Sequence, residues 1–287
     1  MPCNLPVPRA MQPLLNGIWK QFGVSNPECC PDPIGTTDID VFLIAGQSNA
    51  KGRATDVVGG GPNVGTAPIL QVNNSVITKN NDPVGSGIYQ AIIGSAWPQF
   101  GITWQELSGH RVAFVPTAIS TTAQLPAAGA AYGVDNWSVT GGLLASSKSM
   151  LNASMTALTN AGYNPIFKGV LWIQGETDAE VINVGGVTQT QYIDSFRDTI
   201  ASYRADYGED MHFHIIRIGK RLGGSDVGFA QIREAQEIVA NSDPYTKIIY
   251  YGTVDFTDRN LMNDTYHYKQ AGYNEIGVMG ATAAYNW

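Results

Sequence analysis

A serine near the start of this 287-residue chain, and an acid and a histidine near its end, are the residues best suited to chemistry. Ser48 follows the apolar run 40–45 in the turn Gly46-Gln47-Ser48-Asn49. An apolar run that ends in glycine predicts a buried strand stopping at a tight turn. Asp264 and His267 stand three residues apart, so they can share a hydrogen bond within one loop. These residues offer the nucleophile, base and orienting acid of a serine hydrolase.

A third segment has the same form as the first. Residues 169–173 are an apolar run, and polar residues follow it in 174–178. Open α/β sheets bind their ligands at the carboxyl ends of their strands. The sequence therefore predicts that the first and third segments meet at one edge of a sheet. On the residues alone, Asp255 and Asp258 are alternatives to Asp264 as the orienting acid.

The three segments together resemble the SGNH-type hydrolases, in the branch that includes sialate O-acetylesterases and carbohydrate esterase family 6. The resemblance rests on Gly46-Gln47-Ser48-Asn49, on Trp-Ile-Gln-Gly-Glu at 172–176, and on Asp264-Thr265-Tyr266-His267. It runs from about Asp38 to the C-terminus. It implies a serine esterase that removes small acyl groups, above all O-acetyl, from a sugar or polysaccharide. No cofactor and no metal are expected.

The resemblance also assigns roles to individual residues. It implies that Ser48 is the nucleophile, that His267 is the base, and that Asp264 rather than Asp255 or Asp258 orients the histidine. The oxyanion donors that it implies are the Ser48 backbone N–H, a backbone N–H after the second strand, and the Gln174 side-chain amide. The second donor falls on Ser120, because residues 118–122 stand where the family has Gly-Gly-Thr. A side chain there costs conformational freedom if φ must be positive.

Several residues near these motifs are candidates for contact with the substrate. Aromatic faces suit the C–H surfaces of sugar rings, and Tyr132 and Tyr268 also lie in segments expected to border Ser48. The candidate substrate-binding residues are Gln47, Asn49, Trp137, Glu176 and Tyr266.

Three other polar groups have competing interpretations. Glu176 and Asp178 resemble the paired carboxylates of a glycosidase, but we favour Glu176 as a residue that fixes the Gln174 loop. His212 and His214 share one face of a strand, yet no third metal ligand is evident near them. Arg233 and Gln236, on a late helix, are expected to be structural.

The spacing of apolar residues predicts strands that alternate with helices. Strands are expected at 40–46, 111–116, 168–174, 212–218 and 246–251, and helices at 141–161, 190–207, 228–241 and 270–285. This alternation predicts a three-layer α/β/α sandwich with a mainly parallel five-stranded sheet. Residues 38–287 form the esterase domain in this interpretation, and the Gly-rich and Pro-rich stretch 52–100 is expected to form long ordered loops.

Residues 1–37 are expected to be an irregular N-terminal arm with one short helix at Leu14 to Phe22. Cys3, Cys29 and Cys30 all lie in this arm and are expected to be structural, with a Cys3 bond to either of the others left open. An oligomer could form through the arm. The alternatives to an esterase are a glycan-binding module without turnover and a structural component of a virion or cell surface.

Composition excludes some partners. A net charge of −7 without a basic stripe argues against nucleic acid. No apolar run approaches the ~20 residues that span a membrane, and the first residues do not resemble a signal peptide. Charged residues make up only 14% of the chain, against a typical ~25%, which favours an extracellular or virion-associated protein.

Overall fold

The protein is described by a computed structural model that covers residues 37–56, 69–73, 76–79 and 94–287. Strands and helices alternate along it. The strands are β1 Asp38–Gly46, β2 Ile69–Asn73, β3 Val76–Lys79, β4 Arg111–Pro116, β5 Asn164–Ile173, β6 Phe213–Ile216 and β7 Thr246–Tyr250. The helices are α1 Ser48–Lys51, α2 Trp97–Ser108, α3 Pro126–Tyr132, α4 Gly142–Asn160, α5 Glu176–Asn183, α6 Gln189–Tyr207, α7 Val227–Asn241 and α8 Gln270–Tyr285, with a 3₁₀ turn at Gly252–Asp255.

The strands form one sheet in the order β3-β2-β4-β1-β5-β6-β7. Six strands run parallel, and β3 pairs antiparallel with β2 at one edge. All five predicted strands are present, so the mainly parallel α/β sheet is confirmed. The predicted number of strands was wrong, because β2 and β3 lie within the stretch expected to be loops, as do the first four residues of α2. With lengths of five and four residues, β2 and β3 are too short to carry a clear periodic signal for a strand.

Side chains of the central strand β1 enter two separate cores. Val41 and Leu43 pack with α4, α6 and α7 on one face of the sheet. Phe42 and Ile44 pack with α2 and α8 on the other. Successive strand residues point to opposite faces, so a strand covered on both sides must be apolar throughout. This explains the uninterrupted apolar run before Ser48 and confirms the three-layer sandwich.

The helix predicted at 190–207 is present as α6, and it buries Ile193, Phe196, Ile200 and Tyr203 along one face. The predicted arm, its helix and its three cysteines lie outside the described residues. Within the described ranges, no helix combines the length and apolar character needed to cross a bilayer.

Candidate active site

The Ser48 side chain lies at the carboxyl end of β1, as the first residue of the short helix α1. Gly46 makes this turn possible, with a φ of 121°. A Cβ at residue 46 would lie 2.1 Å from the carbonyl oxygen of Ile173. Only glycine allows β1 and β5 to approach this closely while the chain turns. The Ser48 backbone N–H is left free by the helix, because the first turn of a helix has no intrahelical acceptors.

His267 and Asp264 approach Ser48 from the loop before α8. The Nε2 atom of His267 lies 2.8 Å from Ser48 Oγ, and its Nδ1 lies 2.8 Å from Asp264 Oδ2. A carboxylate only accepts hydrogen bonds, so Nδ1 carries the proton and Nε2 can accept the one on Ser48. The structure thus brings together all three residues of the predicted triad. Asp258 lies instead beside Lys220, and Asp255 lies in the 3₁₀ turn.

Hydrogen bonds fix the loop that carries His267. Asp264 Oδ1 accepts from the backbone N–H groups of Tyr266 and His267, both at 2.9 Å. Burial alone would raise the pKa of Asp264, but these bonds and the bond from the His267 ring hold it below its usual range. Leu222 N–H also donates to Thr265 O at 3.0 Å. The ionised form of the Asp264 carboxyl is therefore favoured, and the group is held in place beside the His267 ring.

The loop after β4 lies against the turn that carries Ser48. Ile119 N–H donates to Gly46 O at 3.2 Å, which brings the neighbouring Ser120 to this edge of the sheet. The residue with a positive φ is Thr121, at 65°, and not Ser120. The conformational cost expected for Ser120 therefore falls on its neighbour. Ser120 as a backbone donor to the oxyanion stays a prediction.

The Gln174 side chain is buried among polar partners. It is 0% exposed, and its Nε2 donates to Asp178 Oδ2 at 2.6 Å, with longer contacts of 3.4 Å to Gln47 Oε1 and Thr122 O. Its Oε1 accepts from Tyr192. These contacts make Gln174 a buried link between β5 and α5. Its role as an oxyanion donor stays a prediction.

Four of the five candidate substrate-binding residues are buried, and their contact with a substrate stays a prediction. The Trp137 side chain is 0% exposed, donates to Thr122 Oγ1 and packs edge-on against Trp172. Gln47 is 4% exposed, and its Oε1 accepts from the Gly175 and Thr177 N–H groups at the start of α5. Asn49 and Glu176 are 0% and 5% exposed.

Glu176 and Asp178 form a buried carboxyl pair on the first turn of α5. Burial raises the pKa of Glu176 to about 7 and that of Asp178 to about 6. Asp178 accepts from the N–H groups of Gln124 and Leu125 and from Gln174. Among the described residues, the side-chain donor to Glu176 is Asn49, and Glu176 Oε2 is unpartnered. Because more donors stabilise the Asp178 carboxylate, the protonated form is favoured more strongly in Glu176. The two carboxyls do not flank a cleft, so a glycosidase pair is not formed.

Tyr266 is partly exposed and lies beside His267. Its hydroxyl donates to Glu180 Oε1 at 2.8 Å, and the Arg221 guanidinium lies 5.8 Å from its ring centroid. Arg221 Nε also donates to Glu180 Oε1, at 2.6 Å. Tyr132 is 48% exposed, whereas Tyr268 is only 1% exposed and belongs to the core. Arg221 and Glu180 were not predicted from the sequence; the available signal was the Gly-rich loop 219–225, which follows the carboxyl end of β6.

The remaining polar candidates make structural contacts and do not contact Ser48. His212 stacks on Trp287, and His214 Nε2 bonds to Lys168 O, at the amino end of β6. No group of three metal-ligating side chains occurs in the part of the chain that the structure describes. As expected of structural residues, Arg233 bonds to Asp226 and Gly219 O, and Gln236 bonds to Gln174 O.

Comparisons with known proteins add the following. The sequence profile of a family described as "Carbohydrate esterase, sialic acid-specific acetylesterase" matches residues 38–286. A comparison with curated protein sequences yields no significant match. Similar solved structures include a protein of Arabidopsis thaliana (18% identity, TM-score 0.63, 85% of this chain and 97% of that one) and NanS (14%, 0.57, 87% and 97%). A carbohydrate acetylesterase from Xanthomonas citri, XAC1771, is 18% identical with a TM-score of 0.53, over 86% of this chain and 57% of that one.

Proposed function

Because the chain belongs to the carbohydrate esterase family of sialic acid-specific acetylesterases, we propose that it removes O-acetyl groups from sugars through a covalent acyl-enzyme on Ser48. The observation that carries the proposal is the 2.8 Å distance between Ser48 Oγ and His267 Nε2, with Asp264 bonded to the other ring nitrogen. This is the geometry of an activated nucleophile with an oriented base.

In the first step, Ser48 Oγ attacks the acetyl carbonyl while His267 Nε2 takes the hydroxyl proton. Asp264 stabilises the imidazolium that forms. The tetrahedral intermediate collapses, the bond to the sugar oxygen breaks, and His267 returns the proton to that oxygen. In the second step, a water attacks the acetyl-enzyme by the same route, releasing acetate and free Ser48.

Negative charge develops on the carbonyl oxygen during both steps. The Ser48 N–H at the start of α1 and the Ser120 N–H in the loop after β4 are the donors that we propose for it. The cluster formed by Tyr266, Glu180 and Arg221 supplies an aromatic face, a carboxylate and a cation beside His267. Such a mixture suits a polar sugar better than a long acyl chain, which supports a small acetyl group.

A matched pair of serine variants tests the proposal. Ser48→Ala should lower kcat for acetate release at least ~10³-fold, because the nucleophile is lost. The buried serine variant Ser154→Ala should keep near-normal activity, since Ser154 bonds to Val72 O on β2, away from the triad. Assays would use p-nitrophenyl acetate and O-acetylated sialic acids and xylan, with circular dichroism to check folding. Mass spectrometry of quenched reactions should find one acetyl group on Ser48.

A folded Ser48→Ala variant with normal kcat would contradict the mechanism. Sugar binding without acetate release by the native protein would favour a glycan-binding module.

A further inference from the structure

Asn49, the residue after the nucleophile, contacts two other segments of the site at once. Its Nδ2 donates to Glu176 Oε1 at 2.6 Å and to the backbone carbonyl of Tyr266 at 3.0 Å. Its Oδ1 accepts from the Tyr273 hydroxyl at 2.7 Å. The Tyr266 carbonyl oxygen only accepts, so the Asn49 atom that faces it is the amide nitrogen, and the orientation of this buried amide is settled.

The position of this amide matters because of what adjoins it. Asn49 follows Ser48 in α1, and the Tyr266 carbonyl belongs to the peptide bond that leads into His267. The hydrogen bond from the Asn49 side chain to the Tyr266 carbonyl therefore links the segment that carries Ser48 to the segment that carries His267. Glu176 and Tyr273 hold the amide from either side, which leaves it little freedom to rotate.

We propose that Glu176 and Asn49 are positioning residues, which set the distance between Ser48 and His267 through the Tyr266 carbonyl. This inference rests on the proposed function of the triad and goes beyond it. Glu176 neither exchanges a proton with substrate nor binds the sugar. It keeps the Asn49 amide directed at the histidine loop.

The burial of Glu176 fits a positioning role. Its side chain is 5% exposed, and Asn49 is its one side-chain hydrogen-bond donor among the described residues. An acceptor that serves a single buried donor can be replaced by an amide oxygen. A general acid or base cannot be replaced in that way, because an amide does not exchange the proton.

The two possible roles predict different results for two substitutions. Glu176→Ala removes the acceptor and should lower kcat about 10–100-fold, the scale for a misplacement of about 1 Å between reacting groups, with KM changed less than about threefold. Glu176→Gln keeps an acceptor oxygen and should restore kcat to within about threefold of the native value. Asn49→Ala should resemble Glu176→Ala, and the double variant should be no worse than the poorer single one, since both act through one bond.

Two more variants separate positioning from loss of stability. Asp40→Ala removes another buried carboxylate, bonded to Trp104 at the opposite end of β1, and should lower the melting temperature without a comparable loss of kcat. Tyr273→Phe deletes one hydroxyl and should lower kcat about 2–10-fold, the scale of one neutral hydrogen bond. This milder substitution perturbs the same Asn49 amide, so it tests the proposal even if Glu176→Ala does not fold.

The low-field proton resonance of His267 Nδ1–H provides a readout independent of turnover. It should shift or broaden in Glu176→Ala and be restored in Glu176→Gln. Equal losses of kcat in both variants would overturn the proposal in favour of acid–base catalysis, and an effect confined to KM would overturn it in favour of substrate binding. An unchanged resonance and kcat in a folded Glu176→Ala would also overturn it. An active Ser48→Ala variant would refute the proposed triad. The His267 resonance would still show whether Glu176 positions the histidine loop through Asn49.

Discussion

Glu176→Gln should also remove a pH dependence from the stability of the protein. Burial raises the pKa of Glu176 from its ordinary value of 4.5 to about 7. Between these pH values the folded protein keeps a proton that the unfolded chain has released. The folded state therefore binds more protons, and the free energy of unfolding falls as the pH rises through this range. Below pH 4.5 Glu176 is protonated in both the folded and the unfolded state. Above pH 7 the free energy of unfolding has fallen by the full amount that Glu176 contributes.

The size of the effect follows from the two pKa values. The interval between pH 4.5 and pH 7, at ~1.4 kcal/mol per pH unit, corresponds to about 3 kcal/mol. A glutamine stays neutral and retains an acceptor for Asn49. The difference in free energy of unfolding between variant and native protein should thus grow by about 3 kcal/mol from pH 4.5 to pH 8. For a domain of this size that is roughly 6–12 °C in Tm.

The assay is thermal or urea unfolding of both proteins at half-unit steps of pH. Other ionisable groups, such as Asp264, are present in both proteins and cancel in the difference. Glu209→Gln, which alters an exposed carboxyl, is the matched control and should give a small difference at every pH. A Glu176→Gln difference that does not change with pH would refute the view that the folded protein holds Glu176 neutral.

Three further substitutions test other parts of the site. Asp264→Ala should lower kcat about 10³–10⁴-fold with little change in KM, because His267 loses its orienting partner; a folded variant with normal kcat would show that another group orients the ring. Gln174→Ala should lower stability by about 2–3 kcal/mol through the unpaired buried groups that it leaves, as urea unfolding would measure. A 10²–10³-fold loss of kcat at unchanged stability would instead support Gln174 as an oxyanion donor. Thr121→Gly should raise stability by about 1 kcal/mol, because a β-branched residue at φ 65° is strained; a lower Tm would mean that Thr121 side-chain contacts outweigh the strain.

The sequence predicted best what depends on local pattern. The apolar runs before Ser48 and Gln174 each form a buried parallel strand, and parallel strands must bring their carboxyl ends to one edge. The three-residue spacing of Asp264 and His267 suits a loop in which both side chains meet. These features follow from periodicities of a few residues, which are visible without tertiary structure.

The direction of a side chain was not predictable in the same way. Asn49, Trp137 and Gln174 all lie in segments that were expected to border Ser48, yet each side chain is buried in the protein. Which way a residue at a strand end points depends on the φ and ψ angles of the turn and on what packs against it. Arg221 was not predicted because its partner Glu180 is distant in sequence. Nothing in the segment around Arg221 indicates that α5 brings Glu180 beside it.

The contact between Ser48 and His267 spans 219 residues of sequence. Nearly the whole α/β core must assemble before the two side chains can meet, because β1 lies at the centre of the sheet and the histidine loop follows its last strand. Contacts of such long range are late and slow to form. In a refolding experiment, esterase activity should therefore return after the helical signal in circular dichroism, and so serve as a reporter of completed folding.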